Sequence, residues 1–531
     1  MKQNFLIFFL FVLCLANAQE HAWVYFNDKP NTVAAMANPL SMLTQRALDR
    51  RTHQNIALNN QDVPISNSYI NQIMAQNGIL VKAKSKWLNA VHVYGTATDI
   101  NALSTLSFVN QIVFADNSLN ARPTNQANSQ ETSNKFEVLN NYNYGNSYNQ
   151  AHQIRVDYLH EQNFTGSTMQ IAVLDAGFPN VDNFSAFQQI RDNNQILGGY
   201  DFVARSTNFY QGSSHGTAVL STIAGFVDTE LVGTAPDVKV YLFRTEDAVP
   251  ETPLEESLWV EAAEKADSLG VDIISTSLGY QNFDEPRYDH QYADMDGNTT
   301  FISRGANIAA EKGILVVAAA GNDGNNTYFN ISAPADATNV FTIGAVDENG
   351  AIASFSSYGP NFNNQIKPDV DAKGLQATVV NASGTVSTSS GTSFATPIMA
   401  GAIACFWEAY PNKTNFEIMQ MIRESASLYN NPTDHEGYGI PNFETAFQVA
   451  TIANTTFAEL TVFPNPVIDN LHINTKMINS IEIYSVLGKK MSFKTDNITH
   501  TIDVSSFEKG IYFLNIKNQK GKSKTVKMIK Q

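Results

Sequence analysis

Between residues 165 and 450, near-continuous apolar runs alternate with amphipathic stretches. The runs at 170–174, 238–243, 271–276, 314–319 and 340–346 lack the in–out alternation of a half-exposed strand and read as strands buried on both faces. Between them, 217–226, 254–269 and 301–312 carry helical spacing, the last two stopped by Gly270 and Gly313, and 398–410 is an apolar helix. Such alternation predicts an α/β domain over 151–455, a parallel sheet with helices on both faces, whose ligands bind at the carboxyl ends of the strands. Residues 19–117 read as a small α+β unit, with helices at 68–75 and 99–106, strands within 80–93 and at 111–115, and no cluster of chemically useful residues. Near the other end, short strands at 460–463, 480–486, 511–516 and 525–529 lie between turns and predict a small β-sandwich over 456–531.

The ends change the picture. Residues 5–15 are wholly apolar, and Ala16-Asn17-Ala18 follows as a small-x-small signal. That run is too short for the ~20 residues that span a bilayer, so 1–18 reads as a signal peptide removed after Ala18. No other run reaches bilayer length, and a chain without a transmembrane segment is expected. Only Cys14 and Cys405 exist, so the mature chain has one cysteine and no internal disulfide; Cys405 reads as a small core residue. In 117–150, thirteen of thirty-four residues are Asn or Gln, which predicts a flexible, cleavable linker over 118–150. The 531 residues carry 34 Lys and Arg against 50 Asp and Glu, a net charge of −16. That balance argues against nucleic-acid binding, which needs a basic face. The last 71 residues depart from it, with eleven Lys and five acidic residues, a net of +6.

Four short segments carry the candidate chemistry. Ile171-Ala172-Val173-Leu174-Asp175 ends a buried strand on a carboxylate, and Ser214-His215-Gly216-Thr217 puts an imidazole at a helix start. Ala318-Ala319-Ala320-Gly321-Asn322 sets an amide just past another strand. Ser390-Gly391-Thr392-Ser393-Phe394-Ala395-Thr396-Pro397 leads into an apolar helix, so Ser393 sits where free N–H groups and the helix dipole favour negative charge. Singly, each has a bland reading: a turn-capping Asp, a structural His, a turn Asn, a Ser N-cap. The conjunction does not. A serine hydroxyl needs a base to become a nucleophile, the base needs a carboxylate to hold its tautomer, and the tetrahedral oxyanion needs donors placed beforehand.

Asp before His before Ser is the subtilisin order, and residues ~165 to ~450 resemble the subtilases, the subtilisin-like serine peptidases. The resemblance implies a three-layer subtilisin-like fold with Asp175, His215 and Ser393 as the catalytic triad, and Asn322 with the Ser393 amide as the oxyanion hole. It also implies Ser277, Leu278 and Gly279 as the edge that pairs with the substrate backbone, and Ala319, Ala320 and Gly321 as the opposite wall of the specificity pocket. Extended peptide would then add as a strand between the walls. Ala176, Ala218 and Phe394 depart from the family pattern without removing a chemical part. Residues 19–117 resemble a subtilase prosegment, with Ser85-Lys86-Trp87-Leu88-Asn89-Ala90-Val91 its most distinctive run, which implies a folding chaperone and inhibitor removed by self-cleavage. Residues ~460–531 resemble the C-terminal sorting domain of type IX secretion, through Val462-Phe463-Pro464-Asn465-Pro466, Ile483-Tyr484-Ser485-Val486-Leu487-Gly488-Lys489 and Gly510-Ile511-Tyr512. The partners implied are protein or peptide substrates and the type IX machinery, reached through the periplasm, with the enzyme expected as a monomer.

The expected function is a secreted serine endopeptidase made as a zymogen. A binding protein on a degraded peptidase fold would lack a triad member, and none is missing. An esterase would carry a G-x-S-x-G elbow, whereas Ser393 lies in Gly391-Thr392-Ser393-Phe394-Ala395. Activity is expected to rise near ordinary histidine titration, about pH 6 to 7. Ser332 and Ala333 are small candidates for lining the pocket, which leaves room for an apolar side chain. The chemistry needs no cofactor. The insert 284–298, with Asp289, Asp294, Asp296 and Gly297, reads either as a structural calcium loop or as an acidic surface loop.

Overall fold

The computed structural model describes residues 18–120, 142–247, 249–458, 461–474, 478–485, 489–496, 501–518 and 523–531. The signal sequence up to residue 17, the middle of the linker and the Val486-Leu487-Gly488 part of the sorting motif lie outside them. Two compact units part at Ala446 and Phe447. The boundary expected at 455 falls inside a helix, Phe443–Ala458, whose sequence holds no Gly or Pro to stop it.

The first unit opens with β1 (Gln19–Phe26), a strand that the hydrophobic pattern does not mark. Helices α1 (Gln45–His53) and α2 (Asn67–Met74) follow, then β2 (Leu80–Ser85), β3 (Ala90–Thr96), α3 (Ala97–Ala102) and β4 (Val109–Phe114). The sheet is antiparallel in the order β2-β3-β1-β4. β1 is buried on both faces, so in–out alternation is absent from its sequence. Ala22, Val24 and Phe26 pack with Ile73, Ile100 and Leu103 in the segment's own core. Trp23 and Tyr25 point the other way, into the main core beside Leu258, Trp259 and Phe301.

The main sheet has seven parallel strands: β5 (Gln170–Asp175), β6 (Ile196–Asp201), β7 (Lys239–Arg244), β8 (Ile273–Thr276), β9 (Leu315–Ala319), β10 (Phe341–Val346) and β11 (Val370–Lys373), in the order β11-β10-β9-β8-β5-β7-β6. Every residue of β8, β9, β10 and β11 is buried, in the first three as near-continuous apolar runs require. Helices α4 (His215–Ala224), α5 (Leu254–Leu269), α6 (Phe301–Glu311) and α7 (Thr392–Ala409) cover it. Ala172, Leu174, Ile274, Val316 and Ala318 face α5 and α6, while α7 crosses strands β8 to β11 and packs on α4. β6 and β11 escape the hydrophobic pattern. β6 carries Gly198 and Gly199, and β11 carries Asp371 and Lys373 at fully buried positions.

The prosegment sheet docks on α5. Glu264 accepts from Ser85 Oγ at 2.6 Å and from the Lys86 and Trp87 amides at 2.9 Å each, so the distinctive prosegment run is a turn folded around one peptidase carboxylate. Arg50 and Arg51 pair with Asp267, Arg46 with Asp272, and Trp23 Nε1 donates to Ser257 Oγ at 2.8 Å. Gly270 ends α5 at φ +85°, and a Cβ there would lie 2.7 Å from the Ala47 amide, so only glycine both caps the helix and admits α1. Glu264→Ala strands three donors, two of them buried, and is expected to destabilise the uncleaved full chain by about 3 kcal/mol. Chemical denaturation in an inactive Ser393→Ala background measures this, and an unchanged midpoint would contradict the docking role.

The linker expectation is corrected at its second end. Residues 142–150 pack against the peptidase domain, because their polar side chains find partners there. Tyr144 Oη meets His160 Nδ1 at 2.6 Å, Ser147 Oγ accepts from the Val232 amide at 2.9 Å, and the Gln150 side chain bonds both the amide and the carbonyl of Thr378.

In the second unit, two four-stranded antiparallel sheets enclose one core built from Leu471, Ile473, Ile483, Ile502, Leu514, Ile516 and Met528, which is the expected sandwich.

Candidate active site

The site is assembled where strands end and helices begin. β5 closes on Asp175, wholly buried, and α4 opens on His215. His215 Nδ1 meets Asp175 Oδ1 at 2.8 Å, and the Ala176 amide donates to the same oxygen at 2.8 Å. A carboxylate there fixes the imidazole as the Nδ1–H tautomer and leaves Nε2 as the acceptor. Gly216 makes the approach possible: a Cβ at that position would lie 2.4 Å from the Gly177 carbonyl and 2.9 Å from Asp175 Cβ. The Asp175 carboxylate holds the His215 imidazolium up to about 9, overriding burial, which pulls the other way. The charge that orients the base also raises its titration, which moves the expected rise of activity above pH 6 to 7.

α7 begins at Thr392, earlier than the expected 398, which puts Ser393 in its first turn, where backbone N–H groups have no intrahelical acceptor. Ser393 Oγ donates to the Ser277 carbonyl at 3.3 Å, and Ser277 Oγ donates to the Ser393 carbonyl at 2.8 Å. Ser393 Oγ and the His215 ring share no hydrogen bond among the described residues. The Phe394 ring lies 5.8 Å from the His215 ring, centre to centre, so the helix start does reach the base. Rotation about the Ser393 Cα–Cβ bond redirects the hydroxyl, and such catalytic contacts commonly tighten only with substrate bound.

Asn322 is exposed, past the end of β9, and its Oδ1 accepts from the Thr392 amide at 2.9 Å and from Thr392 Oγ1 at 3.1 Å. That pair of bonds assigns Nδ2 as the free donor. A Cβ built on Gly391 would lie 3.6 Å from Asn322 Nδ2 and 3.6 Å from the Ser393 amide, so the two expected oxyanion donors border one small space. Thr392 is the clamp the sequence reasoning left without a role. Its hydroxyl also accepts from the Gly321 amide at 3.3 Å, tying the pocket wall to the helix start. The signal was its place between Gly391 and Ser393.

The two expected walls lie beside this point. Ser277 and Leu278 are nearly buried and Gly279 is exposed; Ala319 and Ala320 are buried and Gly321 half-buried. Ser332 lies between them, since Cβ atoms on Gly279 and Gly321 would approach its Oγ at 2.4 Å and 3.4 Å. Tyr280 and Ala333 exchange backbone bonds at 2.8 Å and 3.2 Å and close the back. Side chains at Gly279 or Gly321 would fill the gap between the walls.

In the insert 284–298, each carboxylate serves its own turn. Asp289 accepts from the Phe283 amide, Asp294 from the Gln291 amide, and Asp296 from the Asn298 and Thr299 amides, all within 2.7–2.8 Å. Among the described residues, no group of three or more His, Cys, Asp or Glu side chains is placed to hold a metal ion.

The parallel α/β sheet and the family match over it make the chain a serine endopeptidase. The chain belongs to the subtilase family: residues 166–440 match that family's model. Residues 21–134 match the peptidase S8 propeptide domain of Bacteroidota, and 461–531 match a secretion system C-terminal sorting domain, which implies export to the cell surface or beyond. The chain is similar to subtilisin NAT of Bacillus subtilis subsp. natto, 32% identical over 300 residues that cover 56% of this chain and 70% of that one. It is likewise similar to the subtilisin of Bacillus pumilus, 32% identical over 300 residues covering 56% and 97%. A thermostable alkaline protease of Halalkalibacterium halodurans is 30% identical over 291 residues, covering 54% and 71%. Among the described residues, no helix is long and apolar enough to cross a membrane.

Proposed function

We propose that the chain is a secreted serine endopeptidase, made as a zymogen, that hydrolyses peptide bonds through an acyl-enzyme. The observation that carries the reading is the 2.8 Å bond from His215 Nδ1 to buried Asp175, set beside a helix start bearing Ser393 and the free Asn322 amide. Substrate enters as an extended strand between Ser277–Gly279 and Ala319–Gly321, its side chain directed at Ser332. Ser393 Oγ attacks the scissile carbonyl while His215 Nε2 takes its proton. Asp175 stabilises the imidazolium, and Asn322 Nδ2 with the Ser393 amide receives the oxyanion. His215 then protonates the leaving amine, and water, activated by the same imidazole, releases the acyl group. One chain carries every group in this cycle, and none of its steps calls for a cofactor or a second subunit. Residues 1–18 direct export to the periplasm, 19–117 hold the peptidase domain inactive until self-cleavage, and 456–531 address the type IX machinery.

The base gives the test. Only the neutral imidazole accepts the serine proton, so kcat/KM is low below the His215 pKa and rises as pH climbs through it. With that group raised, the rise is expected to centre well above 6.5, toward 9. A pH–rate profile on a peptide substrate measures it. A flat profile from pH 5 to 9, or a midpoint at or below 6.5, would count against the Asp175–His215 pair.

A further inference from the structure

One carboxyl beside the base has no role in this cycle. In the sheet register Arg244, the last residue of β7, stands opposite Asp175. The next amide, Thr245 N–H, donates to the Asp175 carbonyl at 3.0 Å. Glu246 therefore leaves the sheet one residue beyond a bond to Asp175 itself. Its Oε2 accepts from the Tyr280 hydroxyl at 3.3 Å. Tyr280 is fully buried, directly follows the Ser277–Gly279 edge and pairs with Ala333 behind the pocket. The charged groups facing Glu246 are Glu251 and Asp175, with Glu255 of α5 close behind, and Glu251 in turn faces Asp284. Arg244 is spent on Asp201 and Asp247. The cation that faces Glu246 is the His215 imidazolium.

We propose that Glu246 is a positioning residue for the general base: a second carboxyl, hooked to the substrate edge by Tyr280, that acts on the His215 imidazolium alongside Asp175. The inference rests on His215 being the base, as proposed above. Burial and the neighbouring carboxylates push Glu246 up to about 8, and Glu246 adds to the pull of Asp175 on His215, so the two groups ionise over the same neutral-to-alkaline range. Ionised Glu246 stabilises the imidazolium formed during serine attack. It also keeps the resting base protonated to higher pH, which holds back turnover above about pH 8, where Glu246 is ionised.

The test is the pH profile of kcat/KM from pH 6 to 10 on enzyme processed from the full chain. Glu246→Gln keeps the size of the side chain and an acceptor for Tyr280 but removes the charge. Its midpoint is expected to fall below wild type by up to about one pH unit, with the gain in kcat/KM relative to the variant's own plateau appearing above about pH 8, where wild-type Glu246 is ionised. Glu246→Leu, neutral and without an acceptor, is expected to move the midpoint the same way, so the reading does not hang on one variant. Glu246→Asp restores the charge and is expected to return the midpoint toward wild type, which a merely structural brace would not do. A wild-type midpoint in both neutral variants, or a midpoint that rises, overturns the proposal. His215→Ala separates this from the assignment beneath it. Retained turnover there removes the base itself, whereas an inactive His215→Ala beside unmoved Glu246 variants overturns only the role of Glu246.

Discussion

Ser393→Ala is expected to fold, to bind the prosegment as the wild type does, and to remain an uncleaved, inactive chain. The substitution removes one oxygen from a half-buried position whose hydroxyl makes a single 3.3 Å bond to the Ser277 carbonyl, so the structural loss is small. The chemical loss is large, because the Thr392 hydroxyl at the same helix start is already held by Asn322 and Gly321. The scale, about 10⁶ in kcat, is the one recorded for subtilisin itself. Peptide hydrolysis and prosegment removal should disappear together, since one nucleophile performs both. Turnover within tenfold of wild type would remove Ser393 from the mechanism. An uncleaved chain that still hydrolysed peptide would separate self-processing from catalysis.

Asn322→Ala is expected to lower kcat by about a hundredfold to a thousandfold with KM little changed, again on the scale known for subtilisin. The reasoning is geometric. Oδ1 is committed to the Thr392 amide and hydroxyl, while Nδ2 borders the same small space as the Ser393 amide, where negative charge develops in the transition state and not in the bound substrate. Asn322 is exposed, so the variant should fold. Equal effects on kcat and on thermal stability would mean that the residue supports the loop instead. A variant with near-full kcat would end the oxyanion assignment.

The parts of the fold most legible in the sequence are those where one physical demand dominates. β8, β9 and β10 must be dry on both faces, so their sequences are apolar but for Ser275, Thr276 and Thr342; α5 must stop before β8, and Gly270 marks the stop. The site residues were legible for a related reason: Asp175, His215, Asn322 and Ser393 follow strands or open helices, and the short flanking glycines permit close approach. Gly216 and Gly391 show this directly.

What stayed hidden depended on partners remote in sequence. β1 reads as unremarkable because Trp23 and Tyr25 are buried by α5 and α6, more than two hundred residues away. β11 hides Asp371 and Lys373 in a buried strand, where burial pushes the Asp371 carboxyl well above the usual range. Residues 142–150 have a linker's composition, yet Tyr144, Ser147 and Gln150 find partners in the peptidase domain. Glu246 lies outside every motif, and only the pairing of β5 with β7 brings it to the base.

The most direct test of the central claim is covalent labelling by a fluorophosphonate, read as intact mass before and after, on the secreted wild-type chain and on Ser393→Ala. The account predicts that mature wild type gains one label, that Ser393→Ala gains none, and that the wild-type mass shows the prosegment removed. A mature, prosegment-free wild type that takes no label, or a Ser393→Ala chain that labels equally, would contradict an activated serine at position 393.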